Sequence, residues 1–296
     1  VVSVTDKPGE VRERALKSLG QLPPFSPTLN RILATLAQED VCFVKLGELV
    51  EKDTVVAGNV LHLVNSALYG RRETINSVRH AISILGINKL RNAVLGMSVA
   101  RMWKTVKTPP GWSMRRFNMH SAAVAVLADL LAEVLPVDYP EGAFVAGLLH
   151  DVGKLVIAMG LPKEWAEVER LRKEEGMTAE EAERAVLGMT HSELSAAAMD
   201  HWKIPDPIRV AAAYHHRPEK DPGVPKPGMV PLSRVVWAAN HHVNLNGDSV
   251  SSEVLAQETP PSNPLGYFEL RDRLPRLLEN FDSEFESMAA FFREAR

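Results

Sequence analysis

Cysteine is almost absent: Cys42 stands alone among 296 residues. No internal disulfide can form, and a reducing, cytoplasmic setting is expected. Long apolar runs are missing too. No stretch holds about 18 uninterrupted apolar residues, so no membrane span and no membrane partner are expected. Val1 to Glu10 lacks the basic start and apolar run of a secretory leader. Positive charge is not in excess, since 34 Lys and Arg against 37 Asp and Glu leave a net −3. That balance gives no general attraction to nucleic acid, and no nucleic-acid partner is expected. The pairs Arg71-Arg72 and Lys89/Arg91, near Tyr69, read as a solvated basic face. Alternating runs bounded by hairpin turns are absent, which argues against a sheet. Neither an internal repeat nor a low-complexity tract is visible.

What is present is helical periodicity from end to end, in a composition of 45% hydrophobic and 24% charged residues typical of globular chains. Glu10 to Leu19 reads as a short helix stopped by Gly20. Ser26 caps a helix with Pro27 in its first position, running to about Gln38. Leu46 to Glu51, the segment after the Asp53 cap, Ser77 to Leu85 and Ile87 to about Val106 follow. Lys107-Thr-Pro-Pro-Gly111 is the clearest internal break. Beyond it come Trp112 to Leu135, Tyr139 to Met159, Pro162 to Glu175, Ala179 to Leu187 after its cap Thr178, and a Thr190/Glu193 capping box over a helix to Trp202. Pro207 to His216 and Leu232 to Asn246 complete this part. The expected architecture is all-α with two lobes, 1–108 and 109–246, and a linker with a C-terminal helical extension over 247–296.

The chemistry concentrates in Gly147-Leu-Leu-His150-Asp151-Val-Gly153-Lys154-Leu155. Adjacent residues on a helix diverge by about 100°, so His150 and Asp151 can face one metal only at a helix end or bend, for which Gly153 is a candidate. Imidazole with carboxylate suits Zn, Fe, Mn or Ni, but two ligands are too few. Further histidines lie where helices could return to the same point: His120, which precedes a helix of small residues, His191, and the doublet His215-His216. Five imidazoles and one carboxylate on four segments form a metal site only if the fold brings them together. His62 and His80 read as ordinary polar or core residues, and His241 and His242 as a solvated helix end.

These histidines and the Asp151 pair resemble the ligand order of the HD superfamily of metal-dependent phosphohydrolases, with spacing closest to the HD-GYP branch that cleaves cyclic di-GMP. Leu22-Pro23-Pro24, Leu61 to Gly70 with Asn65-Ser66, Ile75 to Gly86, Gly147 to Lys154, His191 to Ala196 and Trp202-Lys-Ile-Pro205 resemble a narrower family. That family is HDOD, the HD-related output domains of bacterial signalling proteins. The resemblance implies His120, His150, Asp151, His191, His215 and His216 as metal ligands, and Lys154 as a stabiliser of phosphate charge, the one catalytic candidate. An expected last aspartate is Asn240, a weak ligand, and an expected glutamate one turn before His120 is Arg116. The Gly-Tyr-Pro signature is replaced by Pro222-Gly-Val-Pro225. The implied function is a signalling output module with protein partners and one divalent transition metal, not an active cyclic di-GMP phosphodiesterase. The alternative is a metal-dependent phosphohydrolase acting on a nucleotide or cyclic dinucleotide, which makes a nucleotide the implied small ligand.

Overall fold

The computed structural model describes residues 8–35, 43–65, 74–223, 225–247, 250 and 263–293. Cys42, Ser66 to Gly70, Arg71-Arg72, Val224 and nearly all of the linker expected over 247–264 lie outside them. The protein is all-α: among the described residues no β-strand forms, and one isolated parallel bridge joins Val137 and Val230. Contacts divide the chain into two compact units, 1–23 with 106–274, and 24–105 with 275–296. The division is therefore not the consecutive one expected at residue 108 and residue 246. The first helix belongs with the histidine-bearing unit, and the last helix with the other.

The smaller unit contains α2 (Pro27–Thr35), α3 (Phe43–Glu51), α4 (Thr54–Val64), α5 (Val78–Leu85), α6 (Ile87–Trp103) and, from Pro275 on, α15 (Leu274–Arg293). Side-chain caps set several starts: Asp53 accepts from Val56 N at 3.2 Å, Ser77 from His80 N at 3.4 Å, and Ser26 from Leu29 N at 3.1 Å. α4, α5 and α6 pack mutually, burying Val60, Leu63, Ile82 and Leu90. Lys89 on α6 pairs with Glu284 on α15 at 2.5 Å. Asn65, the C-terminal neighbour of α4, clamps the chain. Its Nδ2 donates to Ile75 O and its Oδ1 accepts from Ile75 N, both at 2.7 Å. Asn65 thus holds the end of α4 against Ile75, which is a structural role.

The larger unit begins with α1 (Pro8–Ser18) and continues with α7 (Met114–Val134), α8 (Ala143–Leu149), α9 (Val152–Gly160), α10 (Pro162–Glu174), α11 (Ala179–Leu187), α12 (His191–His201), α13 (Asp206–Tyr214) and α14 (Leu232–Leu245). The capping boxes Thr178/Glu181 and Thr190/Glu193 are both formed, and Ser113 caps α7. α1 packs on α9, α11 and α12, and its Arg14 pairs with the buried Glu164 of α10. The stretches 114–134 and 140–160 are apolar and long enough to cross a membrane, yet most of each is buried within the unit.

α7 and α8 pack backbone against backbone. The small residues Ser121 to Ala125 of α7 bury completely or nearly so, and Gly147 of α8 sits on their backbone. A Cβ at Gly147 would lie 2.7 Å from Ala125 Cα and 2.8 Å from Val124 O. Gly147→Ala is therefore expected to destabilise the protein by roughly 1–3 kcal/mol through overpacking. Gly58 of α4 has open space around its Cα, and Gly58→Ala should instead stabilise by roughly 0.5–1 kcal/mol. Chemical denaturation of the two variants, with opposite shifts in midpoint, checks the assignment.

Candidate metal centre

The helical run expected over 139–159 is interrupted at its chemical centre. α8 ends at Leu149, Asp151 leaves helical geometry (φ −101°, ψ 9°), and α9 starts at Val152. This break lets two adjacent side chains serve one cluster. Gly153, the expected bend, lies inside α9 and has another role. A Cβ there would fall 2.0 Å from His191 O, so glycine allows α12 to lie directly against α9. Its amide donates to Ser195 Oγ of α12 at 2.8 Å, which fixes that contact.

Asp151 is fully buried, and both of its carboxylate oxygens face imidazoles. Oδ2 lies 3.4 Å from His150 Nε2 and 3.6 Å from His120 Nε2 of α7. Oδ1 lies 3.3 Å from His191 Nε2 of α12 and 3.6 Å from His215 Nε2, at the end of α13. His216 completes the set, with its Nε2 2.9 Å from His191 Nε2. Two donor groups result, Asp151/His191/His215/His216 and His120/His150/Asp151, each with its ligand atoms within 4.8 Å of one another. The structure thus brings together the five histidines and Asp151 that the sequence scatters over 97 positions, from 120 to 216.

The other ring nitrogens settle which atoms face inward. His150 Nδ1 donates to Gly147 O and His215 Nδ1 to Ala212 O, both at 2.7 Å. His191 Nδ1 donates to the carboxylate of Glu183 at 2.7 Å. A neutral imidazole whose Nδ1 carries the hydrogen presents a lone pair at Nε2, which is the orientation of a metal ligand. His120 Nε2 and His150 Nε2 face each other at 3.3 Å. Asp151 Oδ1 and His215 Nε2, both buried, find no well-formed hydrogen bond among the described residues. Converging lone pairs and stranded acceptors fit a divalent cation, and the mixture of imidazole with one carboxylate suits a transition metal.

Charge is distributed unevenly around Asp151. Burial would raise its pKa, but His150 and Lys154 outweigh burial and hold the carboxyl well below the usual range. Burial drives His215 down to about 3, leaving it neutral. His216 is also held well below the usual imidazole value, first by the burial of its ring and then by its neighbours His215 and His191. His191 goes the other way. Burial disfavours its cation, yet Glu183 prevails and raises it to about 9.

Glu183 is a residue of the cluster that the motifs do not mark. It is buried on α11 and also accepts the His191 backbone N–H at 2.7 Å. Its one signal is register, since it stands one turn before the buried Leu187 on the apolar face of α11. Lys154 Nζ pairs with Asp151 Oδ2 at 2.7 Å and also lines a cavity of about 220 Å³ with Glu183 and Arg116. Asn240 is buried on α14, and its Oδ1 accepts from Asn244 at 3.0 Å. α14 packs against the helices bearing His120 and His150. His241 departs from its expected place at a solvated helix end: it is buried, and Nδ1 donates to Trp237 O at 2.9 Å. His242, partly exposed, contacts Asn246 at 3.0 Å.

The HDOD domain family matches residues 22–218. A curated but uncharacterised protein of Treponema pallidum (strain Nichols) is 20% identical over 274 residues. That match takes in 91% of this chain but 50% of the relative, so the chain spans about half the relative's length. Among solved structures, an HDOD domain protein of unknown function from Geobacter sulfurreducens has a TM-score of 0.74 at 26% identity, over 97% of this chain and 99% of that one. A protein of Marinobacter aquaeolei VT8, provisionally named for signal transduction, reaches 0.72 at 22% identity, over 98% of this chain and 67% of its own. One of Shewanella amazonensis SB2B, provisionally named a phosphohydrolase, reaches 0.68 at 21%, over 94% and 98%. At these identities the last two carry the fold alone.

The Glu183–His191 contact yields a direct test. Glu183→Gln keeps the side-chain shape but removes the charge that orients and polarises His191. It should weaken divalent-metal binding by about 10–100-fold. Isothermal titration with Zn and Mn, beside a circular dichroism spectrum unchanged from wild type, is the check.

Proposed function

The chain belongs to the HDOD family, and from that premise we propose that it is a regulatory output module of bacterial signal transduction, working through protein partners, whose HD-type pocket holds a divalent metal. The observation that carries this reading is the fully buried Asp151, with four imidazoles 3.3–3.6 Å from its two oxygens and His216 beside His191. Sites of this cost are not kept by packing alone, because a buried carboxylate needs compensating charge.

The two sides of Asp151 are not equal candidates. The Oδ1 side offers His191, His215 and His216, with Glu183 behind His191. On the Oδ2 side only His120 and His150 join the carboxylate, and Lys154 at 2.7 Å already satisfies that oxygen. The Lys154 cation beside these two imidazoles opposes a second metal ion. We therefore place one metal at Asp151, His191, His215 and His216. Such an ion would supply Lewis acidity toward a phosphoryl oxygen. Elemental analysis of protein loaded with Fe, Mn, Ni or Zn is expected to give about one ion per chain by this argument. The His150→Ala/Asp151→Ala double variant should hold none, and His215→Ala should lose far more affinity than His120→Ala. Unchanged metal content in the double variant would remove the site.

The second reading, a metal-dependent phosphohydrolase, is favoured by one feature. Lys154 stands beside the donor groups and lines the adjoining cavity, where it could stabilise phosphate charge. Against cyclic di-GMP as its substrate stand Arg116, a cation where the resemblance calls for glutamate, and Asn240, an amide where it calls for aspartate. A hydroxide held between two ions about 3.5–4 Å apart needs carboxylates to keep those ions together. The wild type is expected not to hydrolyse cyclic di-GMP with Fe or Mn supplied. Comparison with Arg116→Glu/Asn240→Asp against cyclic di-GMP and a chromogenic phosphodiester decides between the readings. Wild-type turnover that His150→Ala abolishes would make the protein an enzyme.

A further inference from the structure

The cavity beside the cluster has a chemistry of its own. Its walls include Trp112, Trp165, Arg116, Lys154 and Glu183, all in the histidine-bearing unit. The two indoles meet edge to face, with centroids 6.2 Å apart and planes at 70°, so part of the wall is a continuous aromatic corner. Gly111 (φ +90°) lies against Trp165, and a Cβ there would come 3.2 Å from the indole Cη2. Trp112 also keeps a buried Nε1–H without an acceptor among the described residues.

The charges lining the cavity are mostly engaged already. Arg172 pairs with Glu169 at 2.8 Å, Lys154 with Asp151 at 2.7 Å, and Glu183 with His191 at 2.7 Å. Arg116 is the exception. Its guanidinium is exposed and makes no ion pair among the described residues. It sits in the first turn of α7, whose cap Ser113 also lines the cavity, so the positive end of the helix dipole acts in the same direction. A guanidinium without an ion pair beside an aromatic corner matches an anion attached to a flat ring. Size narrows the choice. At about 220 Å³ the cavity is below the roughly 300–1,000 Å³ common for ligand pockets, which suits one ring system with one phosphate rather than a cyclic dinucleotide.

We propose that this cavity binds a phosphorylated planar heterocycle of nucleoside-monophosphate size, its ring on the Trp112/Trp165 wall and its phosphate toward Arg116 and Lys154. The proposal rests on the reading of the cluster as a metal pocket, because Lys154 and Glu183 belong to both. It gives the module a small-molecule input distinct in size from the cyclic dinucleotide of the HD-GYP resemblance.

The test uses the full chain, with metal content measured in every sample. AMP and GMP, the matching nucleosides, inorganic phosphate and cyclic di-GMP are titrated by calorimetry and by tryptophan fluorescence. A monophosphate is expected to bind at least about tenfold more tightly than its nucleoside or phosphate alone, and to change the fluorescence. Arg116→Gln should remove the advantage over the nucleoside, and Trp165→Leu the advantage over phosphate, with circular dichroism and metal content unchanged. Metal-loaded protein that ignores both monophosphates, or binds phosphate equally well or cyclic di-GMP better, overturns the proposal. Monophosphate binding by protein that takes up no metal would uphold the cavity and overturn the metal reading instead.

Discussion

A carboxylate with no solvent exposure is the constraint around which the larger unit is arranged. Asp151 stays ionised in the interior because Lys154 and the surrounding imidazoles favour its charge more than burial opposes it. Every helix that supplies one of these groups must therefore reach the same small volume. α7 brings His120, the α8–α9 junction brings His150 and Asp151 itself, α12 brings His191, and the end of α13 brings the doublet. Remove the carboxylate and the histidines lose their common counter-charge.

Convergence at this scale needs helices that pack unusually close, and the sequence meets that need with small residues. Ser121 to Ala125 on α7 and Gly147 on α8 let two backbones touch, while Gly153 does the same for α9 and α12. Neither glycine is present for a turn. Each vacates the volume of a methyl group so that helices carrying the cluster's side chains meet at backbone distance. The hydrogen bonds from His150 and His215 to carbonyls three residues earlier then set the rings without any further partner. His191 needs more, because it opens α12 and lacks an upstream helical carbonyl; Glu183 on α11 takes that role.

The cavity and the cluster share two side chains, Lys154 and Glu183, and this couples two kinds of chemistry. One end of Lys154 stabilises Asp151, and the same ammonium lies at the cavity wall. An anion entering there would compete with Asp151 for that ammonium, and so would alter the electrostatics felt by the imidazoles.

Much of this protein is legible in its residues taken in order. Helical period, proline and serine caps, and the two Thr/Glu capping boxes locate the helices, because these signals act within a turn or two of the chain. The residues of the cluster are legible through their order along the chain, His120 to His216, which resembles a known pattern. Other features depend on distant contacts. Gly153 reads as a bend along the chain because the obstacle it avoids, His191 O, lies 38 positions away. His241 reads as solvated because the chain alone does not reveal which face of α14 is covered. Glu183 passes as one more glutamate in an acidic segment, and α1 and α15 change units because side-chain burial, not chain order, decides which core a helix joins. Residue type and spacing are enough to say which segments are helical and which side chains can bind a metal, since both are local properties. Which nitrogens face Asp151, which acid stands behind His191 and which cavity-lining cation makes no ion pair among the described residues are settled only by the packed helices, because they depend on distances between segments that the linear order does not contain.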